Sequence, residues 1–215
     1  DNLLKSDEID AVHIALPNSM HHKYTIAAAK RGIHVLCEKP LAVTSKECQE
    51  MIDVCQKNKV KLMTAYRLHF EKANLEAIEI VKSGKIGIPR IFNSIFTMQI
   101  RQGDIRIQDD LGGGTLYDIG IYCLNAARYL FKDEPSEVFA YSTSGLDTRF
   151  HEVDEMSSVM LKFPNNRFAS FTTSFSTPPS NYYTVIGTKG IIRMENAYEY
   201  EKEKKMSIII EKKEE

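Results

Sequence analysis

The stretch HVLCEKPLAV, residues 34–43, decides how this chain folds. A short apolar run ends abruptly in Glu38, Lys39 and Pro40, then turns apolar again. Bounded by Gly32 and Pro40, the run reads as a buried strand over Ile33–Cys37. Upstream, IDAVHIAL (9–16) is a similar run closed by Pro17-Asn18, and downstream Val60–Ala65 is a third. The segments between them have helical spacing. MHHKYTIAAAKR (20–31) has Asn18 or Ser19 as N-cap and Gly32 in the C′ position. The next helix opens with the capping box Thr44-x-x-Glu47 and runs to about Asn58. Strand, helix, strand, helix, strand with such short connections implies right-handed crossovers and a parallel sheet.

Beyond Tyr66 the pattern changes. Phe70–Ser83 reads as a helix ended by Gly84, and Pro89–Ile100 as a long strand. Gly112-Gly113-Gly114 then precedes a helix over about 115–131. Six strands follow, near 137–143, 156–163, 167–176, 182–187, 190–194 and 206–211, with Asn165-Asn166 and Thr188-Lys189 at hairpin turns. The fold class is therefore α/β (a parallel sheet) over 1–66, plus an α+β domain over 67–215 with a large open antiparallel sheet. The Glu/Lys-rich stretch 199–205 and the charged tail read as solvated faces.

Composition narrows the function. The 215 residues are 43% hydrophobic and 27% charged with a net charge of −1, so no field draws in nucleic acid or an anionic membrane. No apolar run approaches the ~20 residues of a membrane span. Cys37, Cys48, Cys55 and Cys123 lack C-x-x-C spacing and read as reduced core thiols, with cytoplasmic localisation expected. His21-His22 lacks the spacing of helical zinc ligands, so no metal is expected.

Ligands of open parallel sheets bind at the carboxyl ends of the strands. Leu16-Pro17-Asn18 with His21, Glu38-Lys39-Pro40, and Tyr66-Arg67 with His69 stand at three such ends and look like one crevice. A lysine there, desolvated or beside a cationic ring, can serve as a neutral amine that accepts an alcohol proton. In GGGTLYDIGIYCLNAARYLF (112–131), Asp118 and Tyr122 are four apart, on one helix face. A phenol beside an amine makes a proton relay. Gly120, in a helix interior, suggests close packing. No G-x-G-x-x-G follows any strand.

The motifs PNSMHH, HVLCEKPLA, AYRLHFE and GGGTLYDIGIYCLNAARYLF, in this order, resemble the Gfo/Idh/MocA oxidoreductases, most closely the glucose–fructose oxidoreductase-like branch. The resemblance covers essentially the whole chain. It implies that 1–66 is the C-terminal half of a Rossmann dinucleotide-binding domain and that 67–215 is the substrate and oligomerisation domain. It further implies NAD or NADP as cofactor, a sugar, polyol or related alcohol as substrate, and a homo-oligomer built through the antiparallel sheet. By the same resemblance Lys39 hydrogen-bonds the reacting oxygen, Tyr122 donates or accepts the proton, and Asp118 orients the substrate. Leu16, Pro17, Asn18, His21, Glu38, Lys39, Pro40 and Arg67 match positions around the cofactor's nicotinamide–ribose end. The family's glycine-rich turn would precede Asp1 and its final helix and strand would follow Glu215, so weak or absent NAD(P) binding is expected of this polypeptide alone. Two alternatives stay open: a non-catalytic, sheet-mediated oligomerising domain, and the family's NAD-dependent glycosidase chemistry.

Overall fold

The structure, a computed structural model, describes residues 3–6, 8–145 and 147–211. The charged tail at 212–215 lies outside the described residues. The first unit is a three-stranded parallel sheet in the order β1 (Ala11–Ile14), β2 (His34–Cys37), β3 (Leu62–Thr64). Its crossover helices are α1 (His21–Ala29) and α2 (Ser45–Lys57). Val35 and Cys37 of β2, central in the sheet, are buried with Ile14, Ile33 and Met51, while His34 at its start is exposed. Both halves of the expected capping box form at α2, with Glu47 N–H donating to Thr44 Oγ1 at 3.1 Å and Thr44 N–H to Glu47 at 3.0 Å.

The N-terminus of α1 differs from expectation. Neither Asn18 nor Ser19 caps it; a 3-10 turn over Asn18–Met20 leads in, with no side-chain cap. Asn18 is used elsewhere, donating to the Gly112 carbonyl at 2.8 Å.

The second unit opens with α3 (Lys72–Lys82) and α4 (Ile121–Phe131), which pack on one face of a seven-stranded sheet. The strands are β4 (Pro89–Gln99), β5 (Glu137–Thr143), β6 (Met156–Phe163), β7 (Arg167–Ser174), β8 (Ser176–Gly187), β9 (Gly190–Glu195) and β10 (Lys205–Ile210). Their order is β10-β9-β8-β4-β7-β6-β5. The sheet is antiparallel except at its centre, where β4 runs parallel to β7. The connection from β4 to β7 passes through α4 and the β5–β6 hairpin, long enough to make that one parallel pairing possible. Strand β6 alternates strictly between exposed and buried, and its buried half joins Phe92, Phe171 and Val185 beneath the helices. Asn165 and Asn166 both have positive φ, +62° and +55°, in the three-residue loop between the paired Phe163 and Arg167.

The helix expected over 115–131 is not uniform. A π-helical turn occupies Leu116–Gly120 before α4 begins. Such turns add a residue to the helical ladder and re-aim the side chains they carry; here the turn carries Asp118.

Candidate active site

The carboxyl ends of β1 and β2 open onto a crevice of about 280 Å³ lined by Leu16, Pro17, Asn18, Glu38, Lys39 and, from the second unit, Ile105, Arg106, Leu111, Gly113 and Asp118. Lys39 is the bridge between the units. Its Nζ donates to the backbone carbonyl of Asp118 at 2.7 Å and to Asp118 Oδ1 at 2.8 Å. The other carboxylate oxygen accepts from Arg106 Nε at 2.8 Å, and Asp104 holds Arg106 from behind at 3.2 Å. The Lys39 and Asp118 side chains are only 12% and 15% exposed. Burial works against the Arg106 guanidinium, but Asp118 and Asp104 outweigh it and hold its pKa above the ordinary arginine value.

The polar tips of Asp118 and Tyr122 do not meet, and Tyr122 is not part of the crevice lining, but the Asp118 carboxylate and the face of the Tyr122 ring both pack on Lys39. Its Nζ lies 5.0 Å from the centre of the Tyr122 ring. This amine faces two oxygen acceptors and a ring face, all of which suit a hydrogen-bond donor.

Tyr122 itself is 4% exposed, with the rings of Tyr66, Phe96 and Tyr198 at 5.5, 5.8 and 5.9 Å. Its hydroxyl lies 2.7 Å from that of Tyr200. Burial, and then the Tyr200 hydroxyl, push the Tyr122 phenol far above its ordinary pKa.

The three strand ends do not form one crevice. The first two do; the third turns away. Arg67 stacks its guanidinium 3.8 Å over the Tyr200 ring and donates to the carbonyls of Glu199, at 2.7 Å, and Tyr198, at 3.4 Å. His69 packs against Tyr129, ring centres 4.1 Å apart. Neither lines the Lys39 crevice. In this structure Arg67 engages the β9–β10 loop through one guanidinium nitrogen.

His21 is also displaced from its expected role. It is fully buried, with Nδ1 2.8 Å from the Pro40 carbonyl and Nε2 2.9 Å from the Leu16 carbonyl. It ties together the loops that follow β1 and β2 and so acts as a positioning residue. The Lys39–Pro40 peptide bond in the second loop is cis. Glu38 stays on the crevice wall, 3.3 Å from His13. His22 pairs with Glu50 at 2.8 Å, and no cluster of metal-ligating side chains occurs among the described residues.

The three glycines serve close packing. Gly112 has φ +77°, and a Cβ there would come within 2.7 Å of Val43 and 2.9 Å of Asn18. On Gly113 a Cβ would meet the Arg106 carbonyl at 2.5 Å. The loop carrying Arg106 therefore folds back on the glycines, and the glycines seat against the loop after β1. At Gly120 the crowding comes from the preceding turn, with Leu116 at 3.0 Å, and not from another element.

Sequence reasoning missed Ile105, Arg106, Leu111 and Tyr200. An Asp-x-Arg before a glycine run was the available signal for Arg106. Tyr200 was hidden in a stretch read as a solvated face, although Lys204 in that stretch has only 6% of its side chain exposed.

The apolar Leu16 and Ile105 side chains of the crevice lining are exposed. Lys39 and Asp118 wait at the inner end, and Asn18 and Glu38 offer groups for hydroxyls. This donor set fits the nicotinamide end of a dinucleotide. The volume is just under the ~300–1,000 Å³ of drug-sized pockets. Among the described residues no helix is long and apolar enough to cross a membrane. Cys37, Cys55 and Cys123 are buried and all four cysteines are free, as expected.

Comparison with known proteins gives a consistent result. The profile of an oxidoreductase family with an NAD-binding Rossmann fold matches residues 1–66, and that of the GFO/IDH/MocA C-terminal domain matches residues 74–193. A D-xylose 1-dehydrogenase (NADP(+)) of Haloferax volcanii is 39% identical over 198 residues, which are 91% of this chain and 59% of that protein. The crystal structure of aldose-aldose oxidoreductase from Caulobacter crescentus, complexed with glycerol, superposes with a TM-score of 0.92 at 37% identity, covering 97% of this chain and 63% of that one. A 3-ketoreductase from Actinomadura kijaniata, in complex with NADP and TDP-benzene, gives a TM-score of 0.83 at 26% identity over 97% of this chain and 67% of its own. The chain thus spans about six-tenths of the length of the first two proteins.

Proposed function

The chain belongs to the Gfo/Idh/MocA family of oxidoreductases, and from that premise we propose that the protein carrying it transfers a hydride between NAD or NADP and a carbon of a sugar, polyol or related alcohol. The observation that carries this reading is the convergence of Lys39, Asp118 and Tyr122 beside a crevice at the carboxyl edge of a parallel sheet.

When bound, the nicotinamide supplies the hydride acceptor or donor. Everything else falls to the chain. Leu16 and Ile105 exclude water from the flat of the crevice, and Asn18 and Glu38 meet ligand hydroxyls. An ammonium has three N–H groups; Asp118 engages two of those on Lys39, and the third is free to meet the reacting oxygen. Asp118, pinned by Arg106, fixes where that donor points. Tyr122 takes up the alcohol proton in oxidation and returns it in reduction. His21 keeps the two strand-end loops in register.

A second copy of the chain is proposed as partner, on the sheet face opposite α4. There Phe168, Ile91, Ile186, Ile191 and Ile209 are successive cross-strand neighbours, one per strand. Phe168, Ile91 and Ile209 are exposed, as are the paired Phe139 and Met160. An apolar row across five strands is the kind of surface a homodimer covers.

The test is turnover of aldoses and polyols by the protein carrying this chain, read from the absorbance of reduced nicotinamide. Lys39→Met is expected to lower kcat about a hundredfold or more with the fold intact by circular dichroism. Near-normal turnover in that variant overturns the assignment.

A further inference from the structure

Tyr122 is enclosed. Three aromatic rings and the Lys39 amine surround it, and among the described residues the hydrogen-bond partner of its hydroxyl is the Tyr200 hydroxyl at 2.7 Å, either of which can be the donor. Tyr200 is the opposite case: at 62% exposure it stands in solvent on the loop between β9 and β10. That loop is not loose at this point. Arg67 holds the Tyr200 ring from one side and binds the carbonyls of Tyr198 and Glu199, and Lys204 Nζ donates to the Glu199 carbonyl at 2.9 Å. One buried phenol beside Lys39, one exposed phenol and a stacked arginine thus stand in a row that ends in water.

Resting on the reading of Tyr122 as the proton handler, we propose that Tyr200 is the outer member of a two-phenol relay between Tyr122 and solvent, with Arg67 as its positioning residue. A phenol oxygen can accept one hydrogen bond while its own proton is donated elsewhere. In oxidation the substrate C–H bond breaks and its electron pair leaves with the hydride to the oxidised nicotinamide. The hydroxyl proton passes to the Tyr122 oxygen as the Tyr122 proton passes to Tyr200 and the Tyr200 proton to water. The C–O bond becomes C=O and both phenols end neutral; reduction runs the same chain backwards. The relay also answers a physical difficulty. Burial disfavours a tyrosinate at position 122, and a concerted handover never leaves a charge there.

The experiment compares Tyr122→Phe, Tyr200→Phe and Arg67→Met in the protein carrying this chain. Single-turnover hydride transfer is followed in water and in mixtures with heavy water. In the unaltered protein the rate should fall along a curve with deuterium content, since more than one proton moves. Tyr200→Phe should slow the step about a hundredfold, make that dependence linear, and leave ligand affinity within about threefold. Arg67→Met should fall between. A cofactor-free readout accompanies these: in thermal unfolding the double variant Tyr122→Phe/Tyr200→Phe should lose less than the sum of the single variants, as paired groups do. If Tyr122→Phe slows transfer and Tyr200→Phe changes neither rate nor isotope dependence, the relay is overturned and the proton handler stands. If Tyr122→Phe itself leaves transfer unchanged, both fall.

Discussion

Replacing Asp118 by Asn tests the geometry on which the site depends. The carboxylate sits between two cations, 2.8 Å from Lys39 Nζ and 2.8 Å from Arg106 Nε, in a place that is mostly dry on the lysine side. Breaking a buried ion pair by removing one partner costs about 3–5 kcal/mol, because the other charge is left uncompensated. Two features reduce the figure here. Asn keeps an acceptor for Lys39, and the Arg106 side chain is 44% exposed, so water replaces part of what it loses. The expected cost of Asp118→Asn is therefore about 2–3 kcal/mol. Lys39→Met should cost about 1–2 kcal/mol, since Asp118 keeps Arg106. In the double variant no unpaired charge remains, and its loss should fall short of the sum of the single losses by about 1–2 kcal/mol. Urea unfolding reads this directly, at a slope of about 1–3 kcal/mol per molar urea. Losses that add to within about 0.3 kcal/mol would mean that the two side chains do not interact and would refute the bridge between the units.

Glu71 caps α3, accepting from the N–H groups of Ala73 and Asn74 at 3.2 and 2.9 Å. Burial raises its pKa, but the bonds from Asn74 and Ala73 outweigh burial and leave it below the ordinary value of 4.5. Its contribution is therefore present above about pH 4.5 and is lost as pH falls through the depressed folded value, so Glu71→Ala should cost about 1–2 kcal/mol at neutral pH and less in acid. His21→Ala removes two buried hydrogen bonds and leaves a cavity, so it should cost about 2–4 kcal/mol in urea unfolding and weaken cofactor binding measured by calorimetry. Ile91→Asp, on the open face of the sheet, should halve the mass seen by light scattering while leaving the circular dichroism spectrum unchanged.

The legible features are those fixed by neighbours in sequence. The Thr44–Glu47 capping box closes over three residues, the loop holding Asn165-Asn166 over three as well, and the alternation of β6 within the strand itself. That Lys39 would meet Asp118 and the Tyr122 ring was legible because the tip of a buried strand and a helix face constrain where such residues point. What could not be read depends on distant partners. Arg67 leaves its strand end because its carbonyl acceptors lie 131 and 132 residues further along the chain. Nothing local pairs β4 in parallel with β7, or tells a tyrosine in a Glu/Lys-rich loop that it will meet a buried phenol. Asn18 has the composition of an N-cap and is instead drawn to Gly112, 94 residues away.

The charges around the crevice bear on what enters it. Lys39 and Arg106 are the cations of its lining, and both are committed to Asp118; Asp104 takes a further share of Arg106, and Glu38 adds a second carboxylate to the wall. A neutral polyol brings hydroxyls that can give and accept hydrogen bonds without disturbing this balance. A carboxylate or phosphate would either compete with Asp118 for its cations or be buried beside Glu38 without a partner, and an unpaired buried ion costs several kcal/mol. Even about 3 kcal/mol is more than a hundredfold in affinity. On the proposed reading, an aldose should therefore exceed the corresponding sugar acid by at least about a hundredfold in kcat/KM, with little dependence on salt for the neutral substrate. If the acid is used as well as the sugar, and high salt lowers its kcat/KM, then one of the two cations is free to bind it. The Lys39–Asp118–Arg106 arrangement would then have to open when ligand arrives.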